Sequence, residues 1–281
     1  MGPEMSAIIF GLMAAATFGA GDFCGGFATK RNNVYSVIIV SQLVGGALLV
    51  GAALILAGGV ASTGTLVFGA LAGLAGAIGL LALYSSLARG RMGVVAPLTA
   101  VVAVVFPVII GMFNEGLPST TQLAGLGLAP FAVWFLSRDG RSGTVHAREG
   151  GLAICAGLAF GLFFIFIDRV SESAILWPLV AAKGASLVML TLIVLVRKRC
   201  DVPARDQLPV IALAGVFDTG GNVLFALASR FGRLDIATVL SSLYPATTVL
   251  LAWMILKERL APRQWVGVAC AFLAIVCIVC N

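Results

Sequence analysis

From Ile236 to Leu256 the chain runs twenty-one residues without a charge before reaching Lys257-Glu258-Arg259-Leu260. At 1.5 Å per residue a helix of that length crosses a hydrocarbon core of about 30 Å. Within the run, Ser241-Ser242-Leu243-Tyr244-Pro245 sets hydroxyls beside a proline, which cannot donate to the carbonyl of Ser241. In hydrocarbon that carbonyl has to be met by a neighbouring helix, a hydroxyl or water, so the segment is expected to be a kinked membrane span. The kink serves either helix packing or the lining of a pathway.

The run has an echo. Val94 to Phe113 is a second apolar stretch, broken by Pro97 and Pro107, and it too ends on an acid, in Asn114-Glu115-Gly116-Leu117. Behind Glu115 come Gln122 and Gly125; behind Glu258 come Gln264 and Gly267. The wider chain follows suit. Phe18-Gly19 matches Phe160-Gly161, Tyr35 matches Trp177, Gly73 matches Gly215, Gly79 matches Gly221 and Gly90-Arg91 matches Gly232-Arg233, all at one common offset.

Composition accounts for what fills the space between these marks. The chain is 60% hydrophobic and 11% charged, with a mean hydropathy of +1.08, well beyond the balance of a soluble domain. The apolar runs predict spans near 6–28, 34–57, 64–88, 92–113, 119–137, 151–168, 174–196, 207–229, 234–256 and 262–280. The expected fold class is therefore an all-α integral membrane protein of ten transmembrane helices. Five spans per repeat, 1–141 and 142–281, is an odd number, so the two copies must be inverted, the arrangement of many secondary transporters.

The net charge of +6 does not point to nucleic acid, because the basic residues sit at helix ends rather than on one face. Fourteen Lys and Arg residues, from Lys30 and Arg31 to Lys257, Arg259 and Arg263, fall in the loops after odd-numbered spans. Only Arg169, Arg230 and Arg233 fall on the other side. The positive-inside rule then puts both termini outside the cytoplasm of a bacterial-type inner membrane. The apolar run near the N-terminus is read as the first span rather than a cleaved signal.

The six cysteines lie in apolar stretches, apart from Cys200 in a basic loop, and are expected as free thiols. His146 is the one histidine, so neither a metal site nor histidine-based catalysis is indicated, and no cofactor is expected.

Three ionisable residues fall inside spans: Asp22, Lys183 and Asp218. Each costs about 2.5–3.5 kcal/mol at a helix centre, so each needs a partner or water. Counted from the same membrane face, Lys183 lies about 13 Å deep and Asp218 about 16 Å deep, close enough in depth to pair. Such a pair is either a structural salt bridge or a switchable site for substrate charge or a proton. Asn222 and Phe225 continue the face of Asp218 at successive turns. Gln42, Tyr84, Trp177, Ser241, Ser242, Tyr244 and Pro245 complete the candidate substrate-binding or gating set. Helix packing accounts for any one of these residues taken singly. Asp22, near Lys30 and Arg31, is a coupling or gate residue or a snorkelling one. Glu115 and Glu258, at helix ends, are expected to be interface anchors. The four-residue spacing of Gly69, Gly73 and Ala77, and of Gly157 and Gly161, marks close helix contacts.

Ten spans in two repeats, the paired Phe-Gly openings, and Pro245 followed by Glu258-Arg259-Leu260, Gln264 and Gly267 resemble the EamA branch of the drug/metabolite transporter superfamily. The resemblance covers essentially the whole chain. The first copy departs from the pattern, with Val102 and Gly116 where the second has Pro245 and Arg259. The resemblance implies a basket of ten helices around a central cavity, with spans 3, 4, 8 and 9 prominent in its wall. It also implies a permease for a small polar or amphipathic metabolite, working as monomer or homodimer in a lipid bilayer by alternating access, with or without proton linkage. A non-transporting or lipid-handling subunit is the alternative. A remoter one comes from Gly19-Ala20-Gly21-Asp22, which resembles the GxGD segment of presenilin-type intramembrane aspartyl proteases. Asp218 would have to be the second acid.

Overall fold

The structure is a computed structural model and describes residues 2–57, 59–88, 92–136, 147–197, 201–256 and 262–279. Among these the chain is helical throughout: α1 (Pro3–Thr29), α2 (Val34–Leu56), α3 (Thr63–Leu87), α4 (Met92–Glu115), α5 (Thr120–Leu136) and α6 (Ala147–Ser171) are followed by α7 (Leu176–Arg197), a short 3-10 turn (Arg205–Gln207), α8 (Leu208–Phe231), α9 (Leu234–Ser241), α10 (Tyr244–Leu256) and α11 (Pro262–Val279).

Seven segments among the described residues are long and apolar enough to cross a bilayer: Pro3–Thr29, Val34–Leu56, Thr63–Leu87, Gly150–Ser171, Leu176–Arg197, Arg205–Phe231 and Leu234–Ile255. In α4 the apolar part is the shorter Leu98–Asn114. Local chemistry sets several boundaries. The side chain of Asn33 accepts from the backbone of Tyr35 at the start of α2, and Ser62 caps α3 through Thr65. Pro3 and Pro209 stand in first turns, where the missing N–H costs nothing. Gly116 takes a left-handed turn (φ 79°) after α4, which a residue bearing a Cβ adopts only with strain.

The kink expected at Pro245 is a full break. The helix stops at Ser241 and restarts at Tyr244, with Leu243 donating to Leu240 at 3.2 Å and Ala246 donating to Leu243 at 2.9 Å. Pro245 cannot donate to Ser241, and the chain replaces the lost α-helical bond with tighter i→i+3 turns.

The most extensive helix contacts all join the two halves of the chain: α1 on α8, α5 on α11, α3 on α6 and α7, α4 on α6, and α2 on α7 and α8. Between helices in lipid there is no hydrophobic drive, so these contacts depend on close van der Waals fit, and glycines supply it. A methyl group at Gly69 would lie 2.7 Å from Pro178 Cα, and one at Gly73 2.5 Å from Ala182 Cα, so α3 meets α7 backbone to backbone. At Gly157 it would lie 2.6 Å from Val102 Cβ, where α6 meets α4. Two seats are reciprocal. The ring of Phe160 lies over Gly79 and the ring of Phe18 over Gly221, each 2.5 Å from where a Cβ would stand.

Polar ties close both ends of the bundle. At one end Asn32 Oδ1 accepts from the backbone of Ala204 at 3.0 Å, Arg197 donates to the hydroxyl of Tyr35 at 3.3 Å, and Ser36 donates to the carbonyl of Asp201. At another end Arg233 donates to the carbonyl of Gly116 at 2.6 Å and to fully buried Asp235 at 2.9 Å.

Candidate functional site

A cavity lies where helices from the two halves cross. α1 contributes Phe18 and Asp22, and α2 contributes Gln42. α3 adds Gly73, Gly76 and Leu80. The far wall is aromatic and charged, with Phe160, Phe163 and Phe164 on α6, Lys183 and Ser186 on α7, and Asp218 and Asn222 on α8. Tyr244 reaches the cavity from the restart of the broken helix.

Lys183 Nζ donates to Asp218 Oδ2 across thirty-five residues of sequence. The lysine side chain is 6% exposed and the aspartate 21%, so the carboxylate is the member of the pair that faces the cavity more openly. Helix α7 positions the ammonium because Gly73 lets Ala182, its neighbour in sequence, sit directly against α3. Asp22, on α1 where it packs against α8, makes no hydrogen bond or ion pair with any described residue. Gln42 is buried, and its Oε1 has no hydrogen-bond partner among the described residues.

Of the residues singled out from sequence, Asp22, Gln42, Lys183, Asp218, Asn222 and Tyr244 share this wall. The others do not line it. Phe225 is fully buried behind it, its ring centroid 4.4 Å from that of Phe164. Tyr84 is buried with its hydroxyl over Gly25. Trp177 Nε1 and Ser241 Oγ are buried without partners among the described residues, and Ser242 Oγ donates to the carbonyl of Val239 at 2.7 Å. Pro245 acts through the helix break rather than through contact with the cavity. Glu115 is the last residue of α4, whereas Glu258 and His146 lie outside the described residues.

Sequence reasoning missed the aromatic wall. Phe18 and Phe160 had stood out only as repeat markers, and Phe163, Phe164 and Ser186 carried no signal beyond helical spacing from Phe160 and Lys183. Tyr244 was found, and the structure adds its anchor: the hydroxyl donates to the carbonyl of Ala96 at 3.0 Å and fixes the ring.

The carboxylates do not form the free dyad that an aspartyl protease needs, since Asp218 is held by Lys183. No group of three or more His, Cys, Asp or Glu among the described residues is placed to hold a metal, and Cys24, Cys155, Cys270 and Cys277 are free thiols.

Three comparisons bear on this architecture. A crystal structure of another protein superimposes with a TM-score of 0.81 over 98% of both chains. At 14% identity that likeness is one of fold alone. An uncharacterized protein of Methanocaldococcus jannaschii is 27% identical over 128 residues, which cover 44% of this chain and 93% of that protein. The model of the EamA-like transporter family matches residues 150–280. The matched stretch runs through α6 to α11 and carries the lysine and aspartate of the cavity, so the second half of this chain is similar to EamA-like transporters.

Proposed function

We propose that the protein is a permease of a bacterial-type inner membrane that moves a small polar or amphipathic metabolite by alternating access. One observation carries the reading: a cavity lined by an ion pair and a further carboxylate lies among otherwise apolar helices at the crossing of the two halves. Charges held at that depth cost several kcal/mol and persist where a substrate or ion path uses them. In this reading residues 1–141 and 142–281 form two inverted five-helix repeats, ten spans in all, with both termini outside the cytoplasm. The reciprocal seats of Phe18 on Gly221 and Phe160 on Gly79 are what a two-fold relation between such repeats would produce. Rocking of one repeat against the other then exposes the cavity to each side in turn, and opening of the Lys183–Asp218 pair is the charge switch that accompanies it. The protein functions as a monomer or homodimer, by export or facilitated diffusion, with or without proton linkage.

The test is flux in proteoliposomes loaded with amino acids, nucleobases and small metabolites, with release followed by mass spectrometry at several pH gradients. Selective release is the expected result. Release of nothing, from protein shown to be folded, refutes the reading and favours a subunit without transport activity of its own.

A further inference from the structure

The cavity wall is unbalanced in charge. Its titratable groups among the described residues are Asp22, Lys183, Asp218 and Tyr244. Lys183 answers Asp218, and the tyrosine hydroxyl is committed to the carbonyl of Ala96. Asp22 is left without a countercharge, and Gln42 Oε1 adds an unpartnered buried acceptor on the same wall. In a low-dielectric site with surplus acceptors, a carboxyl group without a countercharge is held ionised only when a donor-bearing cation enters. Around these acceptors stand the rings of Phe18, Phe160, Phe163, Phe164 and Tyr244, whose faces attract cations and whose bodies cover apolar surface.

We infer that the cargo of this cavity is a small organic monocation: an ammonium group held between Asp22 and Gln42, joined to an apolar or aromatic body that lies against the phenylalanines. The inference rests on the permease reading and names its substrate class. With the cation bound, two carboxylates face two positive groups and the site is neutral. An anion fails this balance, since the sole lysine is already engaged and a second negative charge would meet Asp22 unscreened. A neutral cargo leaves Asp22 as it was. A zwitterion pairs its ammonium with Asp22, but its carboxylate must draw Lys183 from Asp218, and the net charge stays at minus one.

The experiment uses the purified full chain in lipid nanodiscs and four probes with one aromatic body: 2-phenylethylammonium, 3-phenylpropionate, phenylalanine and 2-phenylethanol. Calorimetric binding is expected to favour the ammonium over each of the others by at least about tenfold, the scale of one charge-assisted hydrogen bond in a buried site. Asp22→Asn is expected to abolish that preference and Asp22→Glu to retain it, with thermal melting confirming the fold of each. The selectivity of the unaltered protein is itself decisive if either variant fails to fold. Equal binding of the probes, preference for the anion or zwitterion, no binding of any probe, or an undiminished preference in folded Asp22→Asn each overturns the inference.

Counterflow in proteoliposomes separates the two readings. Ammonium binding that depends on Asp22, without flux of that probe, keeps the cation site and refutes transport. Flux of a differently charged probe keeps the permease and refutes the cation.

Discussion

The backbone contact between α3 and α7 is open to a test in which one substitution is made at two places with opposite results. A methyl group at Gly73 would stand 2.5 Å from both Cα and the carbonyl carbon of Ala182. Carbon atoms rest at about 3.5–4.0 Å, so the helices must part by roughly 1 Å, and a gap of that size forfeits a quarter to a half of each contact along the seam. No rotamer change relieves the overlap, because the obstructing atoms are backbone. Overpacking of this kind costs about 1–3 kcal/mol. Gly51, on α2, has nothing within 4 Å of a new Cβ. Replacing either glycine by alanine raises helix propensity by up to about 1 kcal/mol, so the difference between the two variants isolates the packing cost. Gly73→Ala is therefore expected to be less stable than Gly51→Ala by about 1–3 kcal/mol, measured by reversible unfolding of the two variants in mixed detergent micelles. It should also slow transport, since the displaced Ala182 precedes Lys183. Equal stability of the two variants would refute the claim that backbone contact at this seam holds the bundle.

In the Lys183–Asp218 pair the lysine is the more buried member. Asp218→Ala, which strands the ammonium, is thus expected to cost about 3–5 kcal/mol, and Lys183→Met less, because the carboxylate keeps cavity water; the reverse order in unfolding titrations would contradict the geometry. Gly79→Ala and Gly221→Ala should push Phe160 and Phe18 into the cavity and lower the transport rate by similar factors with little loss of stability, since ring ends can move. A rate effect from only one of them would mean that the two seats are not equivalent. Asp235→Ala removes two charge-assisted bonds from Arg233 at the start of α9 and should lower stability by about 1.5–3 kcal/mol in the same assay, whereas an exposed pair would be worth less than 1.

Much of the architecture is legible from the chain because hydrocarbon leaves few choices. Uncharged runs of twenty or more residues satisfy their backbone as helices, Pro245 has no N–H to carry the helix past Ser241, and the spacing of Gly69 and Gly73 marks where two backbones meet. Counting residues along α7 and α8 makes Lys183 and Asp218 candidates to pair, and the structure joins them; the charge of Asp22 within an apolar run marks it out.

What the chain did not disclose is which faces turn inward. In a soluble protein burial leaves a pattern of polar and apolar positions. Here the outer surface meets lipid, where Ile55 is 82% exposed and Val196 83%, and the interior is just as apolar. Hydrophobic periodicity is then silent about rotation, and Phe163 on the cavity wall reads like Leu162 facing lipid. Tyr84, Trp177, Ser241 and Ser242 looked equivalent to Tyr244 for the same reason. Only the crossing of helices from the two halves decided that Asp22, Gln42, Lys183 and Asp218, far apart in sequence, line one cavity, and that Asp22 finds no partner among the described residues.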